Sequence, residues 1–124
     1  MVEILLVEDN SGDVLLIRQI VAELAPHIKV VAALDGEQAL QMLANPDFAP
    51  VLVVLDLNVP LISGYEVLRR NPRKEIPVVV FSGSFNRLDP QRAHDLGAVE
   101  YIQKPSDLEG YRTVVAQIVR IVGG

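Results

Sequence analysis

The chain predicts an α/β domain built on a doubly wound, five-stranded parallel sheet. Two observations carry that prediction. Five short apolar runs alternate with stretches that repeat at helical spacing, the pattern of successive βα units joined by right-handed crossovers. Three of those runs, ILLV, VLVVL and VVVF, are almost continuously apolar, as expected of strands covered by helices on both faces.

The predicted strands are Ile4–Val7, Ile28–Ala33, Val51–Leu55, Val78–Phe81 and Val99–Ile102. Between them fall the predicted helices Ser11–Leu24, Gly36–Leu43, Ser63–Arg70 and Asp89–Leu96, and a last one follows from Asp107 to about Val122. In the first helix, Leu16, Ile17, Ile20, Val21 and Leu24 form one apolar stripe, leaving Leu15 almost opposite, among Arg18, Gln19 and Ala22. Asp89-Pro90 offers a capping carboxylate followed by proline at the first helical position, and Gly97 suits a left-handed C-terminal cap. In the last helix, Leu108, Tyr111, Val115, Ile118, Val119 and Val122 make a core stripe, with Gly123-Gly124 as its stop. Val114 and Ile121 widen that apolar arc, either to pair with a second copy of the chain or to be covered by a neighbouring helix or loop.

Composition narrows the classes. At 124 residues the chain has room for one domain, spanning 1–124, with a real core. A net charge of -5 provides no basic footprint for nucleic acid. Without cysteine there is neither a disulfide framework nor thiol chemistry. No apolar stretch is long enough to span a membrane, and the first residues carry no signal-like pattern. The expectation is a soluble, cytoplasmic protein.

Chemistry gathers at the strand ends. Glu8-Asp9, Asp56 and Ser82 each stand at or just past the end of an apolar run, and Lys104 follows YIQ. The carboxyl ends of an open parallel sheet converge on one edge, where ligands bind. Three carboxylates, a hydroxyl and an ammonium would then meet. Crowded carboxylates repel and call for an oxygen-ligated hard cation such as Mg²⁺, which points to phosphate chemistry. Taken singly, each residue has a plainer role: Glu8, Asp9 or Asp56 as a cap or solvated charge, Lys104 as a surface lysine, Ser82-Gly83 as a turn. His27 and His94 lie outside these runs and read as surface residues.

The segments LLVEDN, VVLDLNVPLISG, VFSGS and YIQKP, in this order, resemble a response-regulator receiver domain of two-component signalling. The resemblance covers essentially the whole chain, and the LVEDNxxDxxLI and DLNxP stretches are most similar to small stand-alone receivers, including phytochrome-associated ones. It implies a flavodoxin-like sheet of order 2-1-3-4-5 flanked by helices. It also implies that Asp56 is the phosphoacceptor for a sensor histidine kinase, with Mg²⁺ held by Asp9, Asp56 and the Asn58 carbonyl and by Glu8 through water. Lys104 would pair with the phosphoryl group, which the Gly83 and Asn58 backbone would also meet. Ser82 would move in to hydrogen-bond it, Tyr101 would change rotamer with Ser82, and Pro105 would follow a cis peptide bond.

The same resemblance implies kinase docking on the first helix near Leu15, a downstream protein or phosphotransfer partner, and a homodimer through the last helix. The expected protein is a switch and not a general enzyme, catalysing only its own phosphorylation and dephosphorylation. Two departures are visible. Ser63 replaces an acidic residue before Gly64 yet can still cap a helix, and Ser82 stands for threonine, keeping the hydroxyl. Two rivals compete with the switch. A Mg²⁺-dependent aspartyl-phosphate hydrolase would want an acid/base aspartate two residues after Asp56, where Asn58 stands. A non-phosphorylated interaction module would not need the whole set of Glu8, Asp9, Asp56, Ser82 and Lys104.

Overall fold

Apolar β-branched and leucine runs in this chain form strands that pair only in parallel, since a helix follows each one. The computed structural model describes residues 2–83 and 86–123. Within them β1 (Val2–Val7), β2 (Ile28–Ala33), β3 (Leu52–Leu55), β4 (Val78–Ser82) and β5 (Glu100–Gln103) make one sheet of order β2-β1-β3-β4-β5. The helices are α1 (Ser11–Leu24), α2 (Gly36–Ala44), α3 (Gly64–Arg70), α4 (Asp89–Asp95) and α5 (Leu108–Gly123). The predicted elements are all present, with ends displaced by a residue or two. Gly123 remains helical and does not stop α5; Gly124 lies outside the described residues.

Alternation along each strand divides the core in two. Ile4, Leu6, Leu52, Val54, Val79 and Phe81 face α1 and α5, while Leu5, Val7, Val53, Leu55, Val78 and Val80 face α2, α3 and α4. Burying both faces is what makes residues 4–7, 52–55 and 78–81 apolar at every position. On α1 the buried residues are Val14, Ile17, Ile20 and Val21, with Leu16 partly buried and Leu24 exposed. The predicted stripe therefore keeps Ile17, Ile20 and Val21, gains Val14 and loses Leu24. Leu15 is exposed, as expected. On α5, Tyr111, Val115 and Ile118 are buried, Val114 and Ile121 pack partly on the same core, and Leu108 is exposed.

The helix ends show which local signals hold. Asn10, Asp35 and Ser63 cap α1, α2 and α3, each accepting from a backbone N–H three residues on. After α4, Gly97 takes φ +106°, and the N–H groups of Gly97 and Ala98 close onto His94 and Ala93 carbonyls at 2.9 and 3.0 Å, a Schellman end. At the start of α4 the expectation fails: Leu88 is the cap residue, without a side-chain cap, and Asp89 is the first helical residue, buried. Its carboxylate accepts from the Tyr65 hydroxyl of α3, a tertiary partner that supplants the local one.

Candidate functional site

Register brings the acidic residues together. Val7 of β1 lies beside Leu55 of β3, so the next residues, Glu8 and Asp56, leave the sheet side by side. Their backbones are still tied to it: Glu8 N–H donates to Ala33 at 2.9 Å and Asp56 N–H to Val7 at 3.0 Å. Strand order reverses between β1 and β3, and the crevice outside the strand ends at such a reversal is where ligands bind in open α/β sheets. Behind Asp56 the chain turns tightly into α3. A Cβ at Gly64 would sit 2.5 Å from the Asp56 carbonyl oxygen and from Leu57 Cα, so only glycine lets α3 approach the loop this closely. One strand further, Ser82 ends β4 opposite Gln103 of β5, and Lys104 N–H donates to the Ser82 carbonyl at 2.9 Å.

The Lys104 ammonium is the centre of the constellation. Its Nζ lies 2.6 Å from Glu8 Oε2, 3.0 Å from Asp56 Oδ2 and 3.1 Å from Asp13 Oδ2. Glu8 and Asp56 are buried, so these are charge-assisted contacts in a poorly solvated place. Asp56 Oδ1 accepts from the Asn58 N–H at 3.0 Å and, at a longer 3.4 Å, from the Ser82 hydroxyl. Glu8 Oε1 accepts from the Asn10 N–H at 3.1 Å. Asp9 is exposed, yet one carboxylate oxygen from each of Glu8, Asp9 and Asp56 falls within 4.8 Å of the others. That all-oxygen, acidic donor set suits a hard divalent ion such as Mg²⁺ or Mn²⁺.

The electrostatics follow from burial. Burial pushes the Glu8 carboxyl above its ordinary value; the Lys104 hydrogen bond pulls it down without overcoming burial, to which the Asp56 charge adds. Burial works against the Lys104 ammonium, but Glu8 and Asp56 outweigh it and hold the lysine charged well above its ordinary range.

Tyr101, half-buried on β5, is pushed up by burial and by the charges of Asp89 and Asp56, with a hydrogen bond from Ser82 opposing them. The phenol thus sits between Ser82 and the start of α4. There Tyr65 is pushed up to about 12 by burial and by its bond to Asp89, and the Arg92 guanidinium lies 4.0 Å over its ring.

The structure brings Glu8, Asp9, Asp56, Ser82 and Lys104 together at the edge where they were expected, with Asn58 beside Asp56 and Tyr101 beside Ser82. Gly83 is exposed, and among the described residues a Cβ there would meet only Lys104 Cδ, at 3.9 Å. One expectation is corrected: no cis peptide bond occurs among the described residues, so Pro105 follows a trans bond. The lysine loop is held without one, by the Lys104–Ser82 backbone bond and by Pro105 packing close against Gly110 of α5. The residues that sequence reasoning missed are Asp13 and Tyr111. A carboxylate in the first turn reads as a helix-terminus charge, and a tyrosine in the α5 stripe reads as core. His27 and His94 are exposed and away from the site.

An acidic crevice at a strand-order reversal, with a lysine bridging its carboxylates, defines a class of site that comparison with known proteins identifies. The response regulator receiver domain matches residues 4–116, and the chain belongs to that family. It is 31% identical over 124 residues to the sensor histidine kinase CheAY of Helicobacter pylori, an alignment covering 97% of this chain and 15% of CheAY. The chain therefore spans a small part of that longer relative. Among solved structures, the phosphorylated cyanobacterial phytochrome response regulator RcpA is 37% identical with a TM-score of 0.86, over 96% of this chain and 91% of RcpA. The Mn²⁺-bound form of the response regulator Rcp1 is 31% identical with a TM-score of 0.85, over 95% and 91% of the two chains. No helix among the described residues is long and apolar enough to cross a membrane.

Proposed function

We propose that this chain is the phosphoacceptor switch of a two-component phosphorelay, in which Asp56 takes a phosphoryl group from a sensor histidine kinase in a Mg²⁺-dependent reaction. The observation that carries this reading is the convergence on buried Asp56 of the Lys104 ammonium, the Ser82 hydroxyl and the Asn58 N–H, with Glu8 and Asp9 completing an oxygen donor set. An Asp56 carboxylate oxygen attacks the phosphorus of the kinase phosphohistidine; the P–N bond breaks and its electron pair returns to the imidazole. Asp9, Asp56 and the Asn58 carbonyl, with Glu8 through water, would hold Mg²⁺, whose charge would offset the repulsion between Asp56 and the anionic donor. Lys104 turns its ammonium to a phosphoryl oxygen, and the Ser82 hydroxyl and the backbone of Gly83 and Asn58 meet the others.

Movement of Ser82 toward the phosphoryl group draws on Tyr101 and, through it, on the Asp89–Tyr65 contact that seats α4. Phosphorylation is thereby read out on the surface of α4, β5 and α5, to which a downstream protein, a phosphotransfer partner or a second copy of the chain binds. Kinase docking uses α1, where Leu15 is exposed. The chain works in the cytoplasm as a switch, with no reaction beyond its own phosphorylation and dephosphorylation. That RcpA has been captured phosphorylated and Rcp1 with Mn²⁺ supports the reading. Acetyl phosphate and Mg²⁺ should add a single phosphoryl group, seen by intact mass, and both EDTA and Asp56→Asn should abolish it. Modification of the Asp56→Asn protein would refute the assignment.

A further inference from the structure

Three carboxylates hold the Lys104 ammonium, and one of them does not belong to the metal-capable set. Glu8 and Asp56 do belong, with Asp9; Asp13 stands apart on the first turn of α1. Its position, the third in the helix after the Asn10 cap, is where an acidic side chain ordinarily reaches back to the cap N–H. Here that N–H is already taken by Glu8 Oε1 at 3.1 Å. Asp13 turns the other way. Its Oδ2 meets Lys104 Nζ at 3.1 Å and its Oδ1 accepts from the Tyr111 hydroxyl of α5 at 3.2 Å. Tyr111 is itself buried, its ring edge-on to Phe81 with centroids 5.8 Å apart, and Lys104 Nζ lies 5.9 Å over the same Phe81 ring. Both carboxylate oxygens of Asp13 are thus committed, one to each neighbour, and its rotamer is fixed from a second helix.

We propose that Asp13 is a positioning residue for phosphoryl transfer: braced by Tyr111, it keeps the Lys104 ammonium at the edge of the site when a divalent ion claims the oxygens of Glu8 and Asp56. The inference rests on the phosphoacceptor reading above. Competition is the reason for it. A cation drawing on Glu8 and Asp56 weakens their hold on Lys104, and a long lysine side chain released into solvent regains rotamer freedom. Asp13 is the carboxylate that such an ion leaves alone. It retains the ammonium within a short swing of a phosphoryl group on Asp56, so the lysine need not be recaptured from solvent at each transfer. Tyr111 does for Asp13 what a supporting hydrogen bond does for any site residue, limiting it to one orientation.

Two measurements test this. The first needs no phosphoryl transfer: in ¹H–¹⁵N spectra, the Lys104 ammonium should stay protected from exchange when Mg²⁺ is added to the wild-type chain. It should be lost on the same addition to Asp13→Ala and weakened in Tyr111→Phe. The second is a double-mutant cycle on the rate of phosphorylation by acetyl phosphate at saturating Mg²⁺. Asp13→Ala should slow it about tenfold, the effect of one charge-assisted hydrogen bond, but should cost almost nothing more in a Lys104→Met background, because the two act as a unit. Retention of the ammonium signal in Asp13→Ala with Mg²⁺, or equal losses in the two backgrounds, would overturn the proposal and leave Asp13 as a helix-terminus charge. A wild-type chain that holds the ammonium yet takes no phosphoryl group refutes the phosphoacceptor reading, and with it the role in transfer, leaving Asp13 only as an anchor of Lys104.

Discussion

Replacing Lys104 with methionine isolates the electrostatic debt of this site. Methionine keeps the length and packing of the stem and removes a charge that stands 2.6, 3.0 and 3.1 Å from three carboxylates. Deleting one partner of a buried ion pair costs about 3–5 kcal/mol, since the remaining charge stays buried without compensation. Two features hold this case to the lower end. Asp13 is 23% exposed and can be solvated. Glu8, already above its ordinary value of 4.5 through burial, loses the Lys104 bond that lowers it and rises further, so it takes up a proton in preference to remaining a stranded charge. We expect a loss of about 3 kcal/mol at pH 7.5, which lowers the melting temperature by roughly 10 °C for a domain of this size.

The sign of the pH dependence follows from Glu8. Its folded value is raised, so above 4.5 the native chain holds its proton longer than the unfolded chain does, and stability declines as pH rises through that window. The substitution carries the window further up. The gap between variant and wild type should therefore be small at pH 5 and grow toward pH 7.5. Mg²⁺ should restore more stability to the variant than to the wild type, because metal no longer competes with an ammonium; saturation at 100 times Kd is worth about 2.7 kcal/mol. Calorimetry at both pH values, with and without Mg²⁺, reads all of this. An equal loss at the two pH values, or a variant more stable than wild type at pH 7.5, would refute the reasoning.

Further expectations concern the elements around the site. Gly64→Ala should destabilise the fold by about 3 kcal/mol through overpacking against the Asp56–Leu57 backbone, read by urea unfolding, whereas Gly97→Ala should act through its left-handed φ alone. Tyr65, pushed up to about 12 from an ordinary 10, should ionise last in an ultraviolet titration. Its raised value means that stability is intact below 10 and lost between about 10 and 12; Asp89→Asn should bring its ionisation back toward 10, and an unchanged titration would remove Asp89 as the cause. Val114→Glu and Ile121→Glu should block any association of the phosphorylated chain seen by light scattering; a monomer in both phosphorylation states would leave these residues as part of the α1–α5 core alone.

Local signals were sufficient wherever a residue's nearest competitor lay in its own segment. Ser63 is a cap because its hydroxyl has the Glu66 N–H within reach, and Gly97 ends α4 because only glycine takes its φ without strain. The strand ends placed Glu8, Asp56, Ser82 and Lys104 on one edge because side chains just past parallel strands have nowhere else to converge. Sequence alone went wrong where a distant partner outcompeted a near one. Asp89 left its expected capping place for the hydroxyl of Tyr65, which lies 24 positions away in the chain. The lysine loop needs no cis bond because Ser82 and Gly110 already hold it. Nor does spacing reveal that Asp13, 91 positions before Lys104, shares its ammonium with Glu8 and Asp56. The amino-acid order determined which strands form, that they run parallel and which edge carries the charges. Tertiary packing decided which carboxylate holds the lysine, because that depends on distances of a few ångströms between α1, α5 and the loop after β5, and no periodicity along the chain encodes them.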